Sequence, residues 1–282
     1  MSTYIPEKLR LKDPQFIALG DTKTAEQAVE EISKRGGDLI KIWFLQRGFS
    51  KANLESMRAA IVKAHSKNIR VAAHATELAL ARLAVDAGVD ILVHSVTDEL
   101  LDSNFLELLK KNKIIYIPTL QVKKGYRDVL QKTHELIPIE KACGDPHVIS
   151  TWAELRAPQD DSDDEDDGIA QENLRRVAKA GITIAAGSDA GNIGTLHGPG
   201  LHRELELMVQ AGLSPFAALL SATRNAALVI SPEPQVGTLE VGKKADLLIL
   251  NQDPLKDIRN LSKIETVIKD GKISNSTPSL PL

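Results

Sequence analysis

The chain has 282 residues, 43% hydrophobic and 26% charged, with 35 basic residues against 38 acidic ones and one cysteine. That composition fits a soluble globular protein and excludes a disulfide-stapled scaffold. No apolar run nears the roughly 18 residues of a membrane span, and neither a basic stripe nor an aromatic platform marks a nucleic-acid partner. Seven of the acids fall in Asp160–Asp167 (DDSDDEDD). That run reads as a disordered, solvated insertion over 158–168. The opening MSTYIPEKLRLKDPQF has no signal-peptide core, so a cytoplasmic location is the expectation.

Residues 1–20 hold no clear element beyond a weak extended stretch, QFIAL (15–19). Asp21 to Arg35 opens on capping residues, carries Ala25, Val29 and Ile32 at helical spacing, and stops at Gly36-Gly37, which predicts a helix. DLIKIW (38–43) is a short apolar strand, followed by a helix near 52–67 with Leu54, Met57, Ile61 and Ala64 on one face. IRVAAHA (69–75) and DILVHS (90–95) read as strands around the helix ELALARLAVDAG. A helix over Leu100 to Asn112, the extended KIIYIPT (113–119), a helix over Glu172 to Ala180 and the strand GITIAAGSDAG (181–191) follow. Two helices near 201–211 and 215–228 end the series.

Strands separated by helix-length crossovers must run parallel, and near-continuous apolar strands are covered on both faces. An α/β barrel domain over 21–231 and a doubly wound sheet both satisfy that pattern. No G-x-G-x-x-G or P-loop supports the nucleotide-binding version. Beyond 231, VGTLEVGKKADLLILN and IETVIKDGKI predict strands without intervening helices. They form a small β appendage over 232–274, with 275–282 as a tail.

Four ionisable residues sit at strand ends. Lys41 lies in DLIKIW, His74 ends IRVAAH, His94 ends DILVH, and Asp189 ends GITIAAGSD. In a parallel α/β barrel the ligand site is built at the C-terminal ends of the strands. His74 and His94 are one strand–helix–strand unit apart, which places them on adjacent strands, where two imidazoles and a carboxylate reach a divalent ion such as Zn²⁺. Taken singly, each has an ordinary explanation: a hydrogen-bonded core histidine, a snorkelling or paired lysine, an aspartate capping a loop. His65 reads as a surface residue, while His134 and His147 fall in loop-like sequence without an evident partner. His197 and His202 follow Asp189 near the same end. Cys143 has no placed base, and no G-x-S-x-G elbow occurs.

The pieces LIKIW, VAAHA, ILVHSV, YIPTL, GSDAG, RELELMVQAGLSP, ATRNAA and VGTLEVGKKADLLILNQDPLKDI occur in that order. With them the sequence resembles the amidohydrolase superfamily of metal-dependent hydrolases, in the branch near imidazolonepropionase and the prolidase-like dipeptidases. The resemblance implies a (β/α)₈ TIM barrel beside a small β-sandwich, with one or two divalent metal ions, zinc foremost. It implies that Lys41 is carboxylated to a metal-bridging carbamate and that His74 and His94 bind the more exposed metal. Asp189 would bind the other metal and act as catalytic general base on metal-activated water. The implied reaction is hydrolysis of an amide-type C–N bond in a small-molecule or short-peptide substrate, with His197 as a substrate-contact candidate.

One departure stands out: the family's first strand ends in H-x-H, and none of the seven histidines here forms that pair. Only about 40 residues precede the lysine strand, which should be the fourth of the barrel. The expectation is therefore an N-terminally truncated, incomplete barrel holding about strands four to eight, with open edges at DLIKIW and GITIAAGS unless something covers them. For such a chain the alternative to a working hydrolase is a catalytically impaired fragment that acts by association, and a homo-oligomer is compatible with its open edges.

Overall fold

Asp21 starts the first helix, α1 (Thr22–Lys34), by accepting the Thr24 amide at 2.9 Å. The computed structural model describes residues 1–2, 16–47, 49–156 and 167–274. They divide into two compact units, Met1–Ile117 with Arg176–Ile184, and Pro118–Arg175 with Ala185–Leu282. After α1 the first unit alternates β1 (Leu39–Trp43), α2 (Lys51–His65), β2 (Arg70–His74), α3 (Leu78–Ala87), β3 (Ile91–Val93), α4 (Ser103–Lys111) and β4 (Ile115–Ile117). The strands lie in the order β1-β2-β3-β4 and every pairing is parallel.

Register levels the C-terminal ends of these strands. Trp43 pairs with His74, His74 with Val93 and Val93 with Ile117. Asp90 helps to fix that register, because its Oδ2 accepts the Val71 amide at 2.8 Å and lies 2.9 Å from Nε2 of His65. His65 is exposed, as its charged sequence surroundings predict, and Asp90 is its partner. Each helix is started locally. Ser50 caps α2, Asp102 caps α4, and Asp98 accepts the Leu78 amide of α3 at 2.9 Å, where Glu77 provides no capping bond. Ile40, Ile42, Val71, Ala73, Ile91 and Leu92 are buried, as expected for strands covered by crossover helices.

The edges of this sheet differ from the sequence expectation. Met1 and Ser2 lie along β1: the Met1 amino group donates to Lys41 O at 2.8 Å and the Trp43 amide donates to Met1 O at 2.8 Å. On their far side, Ser2 exchanges backbone hydrogen bonds of 3.0 and 2.9 Å with Ile17 and Leu19, so QFIAL does carry a pairing residue. The edge at DLIKIW is therefore covered. Beyond β4 the predicted strand over 181–191 makes no ladder: it joins the sheet through an isolated parallel bridge, Tyr116 to Ile184.

The second unit contains α5 (Leu120–Leu130), over a stretch to which the sequence assigns no element, and α6 (Pro138–Cys143) and α7 (Pro146–Trp152), in the loop-like sequence around His134 and His147. After α8 (Asp167–Lys179) come α9 (Pro199–Gln210), α10 (Pro215–Ala222) and α11 (Arg224–Ile230). The single helix predicted over 215–228 breaks at Thr223, whose backbone is not helical (φ −119°, ψ −92°). β5 (Leu247–Leu250), β6 (Ile264–Lys269) and β7 (Lys272–Ile273) form an antiparallel sheet in the order β5-β6-β7, with Leu248, Ile249 and Ile273 exposed. Most of the acidic insertion and the 275–282 tail fall outside the described residues. Among the described residues no helix is long and apolar enough to cross a membrane.

Candidate metal centre

In the first unit the parallel register brings His74 and His94 to the C-terminal edge of the sheet, while Lys41 stands in the middle of β1 opposite Ala72. His74 is the last residue of β2, and His94 follows β3 immediately. Their rings meet edge-on with centroids 4.4 Å apart. Trp43, beside His74 in register, lies 5.8 Å from its ring and 4.8 Å from Phe16, which gives the pair an aromatic wall. His94 takes a left-handed backbone (φ 75°), a conformation that few non-glycine residues adopt. Two bonds hold it there: its amide donates to Ile117 O at 2.8 Å, and the Val96 amide donates to the buried Tyr116 hydroxyl at 3.3 Å. Burial pushes the Tyr116 phenol up to about 12, so it stays neutral.

The electrostatics keep both imidazoles neutral. Burial, then the Lys41 charge, lowers His74 to about 4. Burial lowers His94 well below the ordinary histidine value, and His74 and Lys41 add to the effect. The Met1 amino group is driven down to about 6 by burial and by Lys41. A neutral imidazole is the form that ligates a divalent ion. Nδ1 of His74 is also buried without a hydrogen-bond partner, a costly state for a polar atom unless something binds it. On these observations His74 and His94 fit a pair of nitrogen ligands. Among the described residues no group of three or more His, Cys, Asp or Glu side chains gathers with metal-binding geometry. Lys41, whose charge acts on both imidazoles, adds an amine to this cluster.

Asp189 and His197 belong to the second unit. Asp189 is exposed with a left-handed backbone (φ 49°), and its carbonyl accepts Nδ2 of Asn192 at 2.9 Å. His197 is exposed and its Nε2 lies over Gly191, 3.2 Å from where a Cβ would stand. His202 is half-buried on α9, and desolvation lowers its pKa. The His134 ring packs edge-on to Trp152 at 4.8 Å; both its nitrogens are buried without a hydrogen bond, with Nε2 3.9 Å from Glu140, which pairs with Arg203. Cys143 is a free, exposed thiol.

The amidohydrolase family matches residues 13–274. The chain belongs to that family. Its parallel α/β sheet is that of the amidohydrolase fold. A crystal structure of a putative prolidase from Bifidobacterium longum superposes with a TM-score of 0.73 and 30% identity, covering 97% of this chain and 64% of that one. Among curated proteins, the chain is similar to ochratoxinase of Aspergillus niger, 29% identical over 277 residues, covering 92% of this chain and 51% of the relative. It is also similar to imidazolonepropionase of Geobacillus kaustophilus, 38% identical over 105 residues, covering 36% of this chain and 24% of the relative. This amidohydrolase thus spans about half the length of the ochratoxinase it matches.

Two polar residues of this amidohydrolase escape a reading of strand ends. One is the Met1 amine on β1. The other is Glu204, fully buried on α9, which accepts the Leu120 amide at 3.0 Å and the Gln121 amide at 2.8 Å. A signal for Glu204 is present in the sequence: Leu201, Glu204, Leu205 and Met208 recur at helical spacing, so the carboxylate lies on the apolar face of its helix.

Proposed function

We propose that this chain is a metal-dependent hydrolase of an amide-type C–N bond in a short peptide or cyclic amide. The observation that carries the reading is the half-buried His74–His94 pair at the C-terminal edge of a parallel sheet, its rings 4.4 Å apart and its pKa values lowered by burial and by the charge of Lys41. His74 and His94 would hold a divalent ion, for which zinc matches imidazole nitrogen and oxygen donors. Lys41 would contribute as a carbamate: its ammonium loses one proton, Nζ forms a bond to the carbon of CO₂, and a second proton leaves Nζ, so a cation becomes an anionic oxygen donor. When bound, the ion polarises a carbonyl and lowers the pKa of water towards 7. By the resemblance to the family, Asp189 would accept the proton of the attacking water and pass it to the departing amine nitrogen. His197 contacts the substrate. The matches to proteins named prolidase, imidazolonepropionase and ochratoxinase support hydrolysis as the reaction class.

In this reading β1 to β4 correspond to strands four to seven of a (β/α)₈ barrel and 181–191 to the eighth. No H-x-H occurs in these 282 residues, and in the family resembled that pair would ligate the other metal, which favours a second reading, a catalytically impaired chain. A panel of dipeptides and cyclic amides, incubated with purified chain in Zn²⁺ or in chelator, separates the two. Hydrolysis that appears with Zn²⁺ and stops with chelator supports the hydrolase. No turnover of any panel member counts against hydrolysis of short peptides and cyclic amides and favours the impaired chain.

A further inference from the structure

We propose that Glu204 is a positioning residue for Asp189: its buried carboxylate clamps the first turn of α5, and α5 in turn fixes the segment 189–196. The proposal rests on the reading of Asp189 as proton acceptor. Helix α5 begins under strain. Thr119, which precedes it, is buried and β-branched yet has φ 47°, an outlier for such a residue, and its side chain gives α5 no capping bond. Such a conformation persists only when its surroundings over-determine it. Glu204 does so from another helix, with one carboxylate oxygen on each of the Leu120 and Gln121 amides. It meets donors that a local cap would otherwise satisfy, at the end of the helix where a negative charge is favoured.

Three neighbouring positions of α5 then grip the Asp189 segment. Nε2 of buried Gln121 donates to Gly194 O at 2.8 Å. One turn later Gly125 meets Gly194 backbone to backbone: a Cβ on Gly194 would stand 2.5 Å from Gly125 O, and one on Gly125 2.9 Å from Ile193 O. The next residue, Tyr126, donates its hydroxyl to Oδ1 of Asn192 at 3.0 Å. The gripped segment closes on itself through Thr195 N to Asn192 O and Gly191 N to Thr195 O, both 3.0 Å. Asn192 Nδ2 finally ties down Asp189 O at 2.9 Å. A contact made between two backbones leaves no side-chain slack, so a shift of α5 moves this segment with it.

Hydrogen exchange of amides 189–196 in the whole chain tests the clamp, comparing the native protein, Glu204→Gln, Gln121→Leu and the double variant. Glu204→Gln turns one acceptor into an NH₂ group facing a backbone N–H, so protection of the segment is expected to fall about tenfold. Gln121→Leu, which leaves Glu204 in place, should produce a similar fall. The double variant should fall no more than about twofold beyond the worse single one, because both act through one linkage. Protection of β1 to β3 should stay unchanged in all variants. Unchanged protection of 189–196 in Glu204→Gln overturns the proposal, as do single effects that simply multiply. If Glu204→Gln does not fold, Gln121→Leu and Tyr126→Phe decide it: both must loosen 189–196 selectively. On a hydrolysed panel substrate, the clamp variants should lower kcat with KM unchanged. Hydrolysis that survives Asp189→Asn sinks the Asp189 reading, while the exchange data still judge the clamp.

Discussion

Replacing Asp189 by Asn is expected to lower hydrolysis of any panel substrate by about a thousandfold, within the range general acid–base groups contribute. The substitution is well matched to its site. Asp189 has φ 49°, a region that Asn tolerates as readily as Asp, so the backbone conformation is kept. Its carbonyl bond from Asn192 involves the main chain and survives the change. What is lost is the carboxylate: an amide neither accepts a proton near neutral pH nor supplies an anionic oxygen to a metal ion. Steady-state rates of native and variant protein at equal Zn²⁺ check the prediction. A variant with undiminished kcat removes Asp189 from the mechanism.

Glu204 should impose a large pH dependence on stability. Burial raises its pKa from 4.5 to about 7, while the Gln121 and Leu120 amides pull it the other way. Between those values the folded protein holds a proton that the unfolded chain has released. The contribution is therefore fully present below about pH 4.5 and is lost as pH rises through about 7. That difference corresponds to on the order of 3 kcal/mol. Denaturant unfolding of native protein and Glu204→Gln at several pH values isolates it, because the stability difference between the two should move in favour of the variant by that amount between pH 4.5 and 8. His74 and His94 act with the opposite sign: their lowered pKa values give stability that is present above about 6.5 and lost as pH falls. Both proteins carry them, so they cancel in the difference. A difference that stays flat with pH contradicts the buried-carboxylate interpretation.

The parallel sheet and its histidine pair are legible in the sequence because both rest on local patterns. Short apolar runs between amphipathic stretches set strand order, and register then follows well enough to place His74 beside His94. Features that depend on contacts distant in sequence are not legible. Gly125 interrupts the helical pattern of QVKKGYRDVL and disfavours helix by about 1 kcal/mol relative to alanine, yet α5 runs through it. Its reason is Gly194, 69 positions away by sequence number, whose backbone leaves no room for a side chain. Pro138 and Pro146 read as breakers but stand in the first turns of α6 and α7, where proline costs no hydrogen bond. The cover on β1 consists of backbone bonds from Met1 and Ser2, which two residues cannot announce by any periodicity.

Titration of the purified chain with Zn²⁺, followed by calorimetry near pH 7.5, tests the metal centre most directly. One ion per chain is predicted, held weakly, with binding lost in both His74→Ala and His94→Ala. Two tightly held ions, or binding that survives both substitutions, would contradict it.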